Sequence, residues 1–262
     1  MGSLCDFAEN ALLNHTFKKA AYTPSATVYM GLFLTNPGET GITTGEVVGN
    51  GYARVAIVFS AASGRKIVQN GQVTFPQCSA SWGTIPYWGI MSALTGGNML
   101  AYGTFAAPIV TVQGNVPFIS NAATEITANA GVISNYLAHA WLNFMFRNVA
   151  YVQPNIWVGF ARAAILDNSD GSNITELSGG SYGRAAATNW NTASGGSISN
   201  SADINFVTPT VNWLTITHSF LIDSVTAGAG NILTYGQALP NQAPQTGDPV
   251  RYPSGQYVVN VN

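Results

Sequence analysis

The chain has 262 residues, room for two ordinary domains, and only 8% of them are charged, with a net charge of −2. So flat a balance leaves no electrostatic footprint for nucleic acid or an anionic membrane. There is no apolar run long enough to cross a bilayer, and Met1-Gly2-Ser3-Leu4 lacks the basic region and apolar core of a secretion signal.

Residues 4–19 read as an amphipathic helix. Leu4, Phe7, Leu12 and Phe17 recur near helical spacing, Asp6 and Glu9 lie early, Lys18 and Lys19 lie late, and Pro24 forbids continuation. Strands follow: residues 27–33 and 52–59 on β-branched and aromatic patterning, then 73–75, 82–90, 99–105 and 109–112, with residues 115–126 closing the set. Residues 36–51 are a loop, and Gly96-Gly97-Asn98 is a turn between strands. A second helix is predicted over 133–148. Further strands are predicted at 156–160, 182–188, 203–206, 213–223, 232–237 and 256–261.

The second set restates the first. Leu12-Leu13-Asn14 and Ala21-Tyr22 are answered by Trp141-Leu142-Asn143 and Ala150-Tyr151. Tyr52-Ala53-Arg54 is answered by Tyr182-Gly183-Arg184, Trp82 by Trp213, and Gly97 to Gly103 by Gly230 to Gly236. The offset drifts from about 129 to about 133 positions, as loop insertions would make it. The expected fold class is therefore mainly β: two tandem β-sandwich-like domains, residues 1–129 and a diverged copy at 130–262, each with one N-terminal α-helix. The linker is placed at Ala128-Asn129-Ala130-Gly131.

Candidate chemistry is thin. His15, His139 and His218 have no ligand spacing, Cys5 and Cys78 read as buried free thiols, and the eleven acids are scattered. No nucleophile elbow or phosphate loop is present. No catalytic residue, metal site or cofactor is expected, with a glycosidase-type pair of carboxylates as the minor alternative. Arg54 and Arg184 each stand inside an apolar strand. They read either as interface residues or as structural arginines paired with a carboxylate or loop carbonyls, and their presence in both copies favours the structural reading. Trp82 and Trp213 are equivalent and read as core. Trp88 and Trp190 are unmatched, which makes them the better interface candidates.

The phrases Glu9 to Phe17, Ala21 to Pro24, Tyr29 to Phe33, Gly51 to Val55, Val73 to Pro76, Trp82 to Ile85 and Gly96 to Gly103 are collinear. Together they resemble a family of small bacteriophage proteins labelled tail-fibre proteins. The second half lacks the Glu-Asn at the helix start and the Gly-Ile after the Trp strand. The resemblance implies a non-enzymatic structural protein on the virion surface, made in the host cytoplasm. Within that class a capsid-decorating or cement role is preferred, with a tail fibre or adhesin binding a host glycan or receptor as the alternative. The sparse charge implies a homo-oligomer, and analogy to phage surface proteins makes it a trimer. Major capsid or tail proteins are the other expected partners; nucleic acid and membrane insertion are not.

Overall fold

The computed structural model describes residues 2–128 and 132–261. Three of the four expected linker residues, 129–131, lie outside the described ones. The chain forms two compact units. The first comprises Met1–Ala11, Tyr22–Asn129 and His139–Tyr151; the second comprises Leu12–Ala21, Ala130–Ala138 and Val152–Asn262. The repeats thus divide the sequence near its midpoint, while each unit also takes a segment from the other repeat.

In the first unit β1 (Gly2–Leu4) leads into α1 (Asp6–Leu13). The strands that follow are β2 (Val28–Phe33), β3 (Val55–Ile57), β4 (Lys66–Val68), β5 (Val73–Thr74), β6 (Thr84–Met91), β7 (Met99–Val110), β8 (Phe118–Ile119) and β9 (Glu125–Thr127). Seven of them form one sheet in the order β3-β2-β6-β7-β1-β9-β4, and β5 pairs with β8. Val28, Met30, Leu32, Ile90 and Trp88 are buried along the central β2–β6 ladder, where Met30 faces Ile90 and Leu32 faces Trp88.

Several predicted elements change, the strand expected over 182–188 shrinking to Ala185–Ala186. The helix expected over 4–19 begins two residues late, because Gly2 to Leu4 pair with Gly103 to Ala101 of β7. Beyond Leu13 it widens into a π-helical turn over Asn14–Lys18, closed by Lys19 in the left-handed region at φ 57°. The strand expected over 52–59 shrinks to Val55–Ile57, since Tyr52 follows a turn and turns its hydroxyl inward to accept from the Leu32 N–H at 2.9 Å. The strands expected at 99–105 and 109–112 are a single β7. Its ladder passes from Thr104–Tyr87 to Ile109–Ile85, so a bulge absorbs residues 105–108 opposite Pro86.

In the second unit the strands are β10 (Trp157–Ala161), β11 (Ala185–Ala186), β12 (Ser197–Ser199), β13 (Ile204–Asn205), β14 (Ile216–Ile222), β15 (Ile232–Gln242), β16 (Arg251–Tyr252) and β17 (Val258–Asn260). The order β11-β10-β14-β15 makes one sheet, with two-stranded ladders β12–β17 and β13–β16 beside it. Helix α2 (Asn135–Arg147) matches the expected 133–148. Ser134 caps it, its Oγ accepting from the Leu137 N–H at 3.1 Å. Helix α2 starts in the second unit and ends in the first; α1 and its π-turn do the reverse. The fold is mainly β with one helix opening each repeat, and among the described residues no helix is long and apolar enough to cross a membrane.

Candidate functional site

The two arginines lie one residue before β3 and β11, not inside a strand, and each closes a buried latch. Arg54 Nε and Nη2 donate to the two oxygens of Glu46, both at 2.7 Å, while Nη1 donates to the carbonyls of Ala93 and Gly96 at 2.9 and 2.6 Å. Arg184 repeats this with Glu176 at 2.8 and 2.7 Å and with the carbonyls of Ser224 and Ala229 at 2.8 and 2.9 Å. Tyr52 and Tyr182 complete the pattern, donating to Glu46 and Glu176 at 2.9 and 3.1 Å. Burial, with the carboxylate beside it, pushes each phenol's pKa up. The latch ties the loop before each short strand to the glycine-rich turn of the next hairpin. It uses four of the five N–H donors of each guanidinium inside the chain.

Trp88 and Trp190 are also spent internally, at 1% and 4% exposure, and present no surface. The position equivalent to Trp88 in the second repeat is Ser219, which pairs with Phe160 as Trp88 pairs with Leu32 and lies near the ring hydroxyl of Tyr257 at 3.5 Å. Trp190 does have a counterpart, Phe59. The bridges Phe59–Gln69 and Trp190–Asn200 occupy the same place in the two repeats. Trp82 and Trp213 are core, as expected, and meet Tyr52 and Tyr182 edge-on at 5.3 and 5.5 Å.

The missing Gly-Ile also finds its reason. Gly89 faces Gly31 across the β2–β6 ladder, and a Cβ on Gly89 would come within 2.8 Å of the Phe33 ring. In the second repeat Gly159 faces Phe220, whose ring would lie 2.3 Å from a Cβ on Gly159, while Ala161 stands where Phe33 would. One ring fills this layer in each unit, supplied by β2 in the first and by β14 in the second.

The repeated Leu-Asn phrase ends each helix. Asn143 Oδ1 accepts from the Ala62 N–H at 3.1 Å and Phe146 packs on Phe59 at 5.5 Å, both inside the first unit. Asn14 Oδ1 accepts from the Ala193 N–H at 2.9 Å and Phe17 packs on Trp190 at 5.1 Å, both inside the second. Each asparagine therefore serves a turn of the opposite repeat.

The acids are not all scattered. Asp6 and Glu9 on α1 meet Glu39 from the loop after β2, with one carboxylate oxygen from each within 4.8 Å of the others. Asp6 N–H donates to the Glu39 carbonyl at 2.9 Å, and the Tyr102 hydroxyl donates to Glu39 Oε1 at 2.7 Å. Burial, aided by Glu39 and Asp6, lifts the Glu9 carboxyl to about 8. The thiol of Cys5 is pushed up by burial and by Glu39. Spacing in the sequence could not show this group, because Glu39 sits in what reads as an ordinary polar loop. Cys5 and Cys78 are both buried free thiols, as expected.

The fold is thus a duplicated β unit carrying a buried ionic latch in each repeat and one acidic group in the first. The family model described as "Podophage GP4 fiber I protein gp80" matches twice, over residues 3–127 and 132–260, and the chain belongs to this family. No curated protein matches it. The family is one of phage fibre proteins, so the chain is a structural, virion-associated protein, and the double match coincides with the internal repeat.

Proposed function

We propose that this chain is a non-catalytic fibre subunit of a podophage virion, built from two tandem repeats. The double match to a fibre family carries this reading. It reverses the order of preference taken from the sequence, in which capsid decoration came first and fibre second. The buried latches support it, since they fix hairpin turns as a structural subunit would need. Assembly with further copies, of which a trimer remains the expected form, and with tail proteins is part of the proposal. Val110, Val112, Val116 and Phe118 lie largely exposed along one stretch of the first unit and supply apolar area for such neighbours. Synthesis in the host cytoplasm fits the two free thiols. A virion density map tests the reading: density for the chain in a tail-attached fibre is expected, and density spread over the capsid shell would replace it with the decoration reading. Light scattering tests assembly, a stable monomer that also stands alone in the map being the contrary result.

A further inference from the structure

We propose that Asp6, Glu9 and Glu39 form a binding site for a hard divalent cation of the calcium type. Oxygens that share one Ca²⁺ at about 2.3–2.6 Å can lie up to roughly 5 Å apart. The three carboxylate oxygens, within 4.8 Å of one another, therefore reach a single ion as they are placed.

Acidic residues often gather without a ligand, so the weight rests on Glu9. It is 3% exposed, and among the described residues its Oε2 has no hydrogen-bond partner. Buried polar oxygens in folded chains are almost always partnered, and a carboxylate most of all. A cation between the three acids would be the missing partner. Asp6 is half-buried and Glu39 exposed, which leaves one open side for the ion to enter and for water to complete its coordination. Glu39 is held for the task by Tyr102 at 2.7 Å on its Oε1 and by its own carbonyl, which accepts from Asp6 N–H. Such outer contacts orient a metal ligand.

The second repeat is a built-in comparison. Tyr235 donates to Asp167, and the Asp167 carbonyl accepts from the Asn135 N–H, just as Tyr102 and Asp6 treat Glu39. Yet Asn135 and Ala138 occupy the places of Asp6 and Glu9. The scaffold is retained with one carboxylate instead of three, so the first unit alone carries the extra negative charge. Helix capping does not account for it, since α2 forms without either acid.

The test uses the full chain stripped with a chelator and titrated with Ca²⁺ by calorimetry, then with Tb³⁺ as a luminescent substitute. A single Ca²⁺ per chain is expected, with Tb³⁺ emission sensitised by Tyr102 and quenched on adding Ca²⁺. Glu9→Gln should weaken Ca²⁺ binding by about tenfold or more, while Asp167→Asn leaves it unchanged. Tyr102→Phe should dim Tb³⁺ emission far more than it lowers Tb³⁺ occupancy. If Glu9→Gln does not fold, Asp6→Asn carries the same comparison at a less buried ligand. Absence of Ca²⁺ binding to the wild-type chain up to roughly 10 mM, or equal binding by the variants, would overturn the proposal.

Discussion

Arg54 and Glu46 share two parallel hydrogen bonds of 2.7 Å while their side chains are only 8% and 12% exposed. Removing one partner of such a pair strands a buried charge, which costs about 3–5 kcal/mol. Arg54→Ala is therefore expected to destabilise the first unit by about 3 kcal/mol or more in urea unfolding. Arg54→Met with Glu46→Leu should recover much of the loss, because neither charge is then left buried. Arg184→Ala should act likewise on the second unit. A shift below about 1 kcal/mol, the range of exposed ion pairs, would show that the latch is solvated.

The ring exchange between repeats predicts a rescue. Gly89→Phe alone overfills the layer already occupied by Phe33 and should cost about 1–3 kcal/mol. Adding Phe33→Ala copies the arrangement of Ala161 and Phe220 and should return most of that stability. Coupling in the double-mutant cycle of about 1 kcal/mol or more checks the idea; simple additivity refutes it.

Gly2 is required by closeness to its neighbours. A Cβ there would lie 2.2 Å from the Trp88 ring and 2.5 Å from the Tyr102 carbonyl. Gly2→Ala should push β1 away from β7. Hydrogen exchange at the Cys5 amide, which donates to Leu100 at 3.0 Å, should then speed up while the β2–β6 amides keep their protection.

Glu9 gives a pH dependence in chelator, where no cation competes for it. Its carboxyl is lifted from 4.5 to about 8, with Cys5, Asp6, Glu39 and Tyr102 around it. The folded state then binds this proton more tightly than the unfolded state does. The contribution is complete below about pH 4.5 and is lost as pH rises through about 8. The urea midpoint of the wild type should fall over that window, and Glu9→Gln should lack this component. A midpoint in the wild type that rises by the same amount as in Glu9→Gln would contradict the assignment.

Because each unit contains a segment of both repeats, the two halves of the sequence should stay together after a cut between residues 128 and 132. Co-elution of the fragments on gel filtration is expected, and Asn14→Ala with Asn143→Ala should loosen it, each lost hydrogen bond being worth about 1 kcal/mol. Clean separation of two folded halves would argue that the exchanged segments contribute little.

The repeat, both helices and most strands were legible because they rest on local periodicity and on collinear phrases. Strand lengths at Tyr52 and at residues 105–108 were not, since a hydroxyl aimed at Leu32 and a bulge opposite Pro86 are settled by neighbours distant in sequence. The latch was half legible: the recurrence of Arg54 as Arg184 pointed to structure, but nothing in the spacing named Glu46 and Glu176. Trp88 and Trp190 misled because a tryptophan without an aligned tryptophan looks specialised. In fact Phe59 fills the place of Trp190, and Ser219 with Tyr257 fills that of Trp88. The acidic group was hidden because two of its members lie on a helix and the third arrives from a loop.

Asn14 reaches its hydrogen-bond partner Ala193 across 179 positions of chain, whereas Asn143 finds Ala62 across 81. On a ribosome the first repeat would emerge with the end of its own helix idle and with its docking place for the other helix empty. It would stay so until residue 146 clears the exit tunnel, and the segment Leu12–Ala21 would wait longer still. Contacts this distant slow folding, because the chain loses loop entropy before they form. The rate-limiting event in synthesis should therefore be the late seating of the earliest helix, after nearly the whole polypeptide has been made.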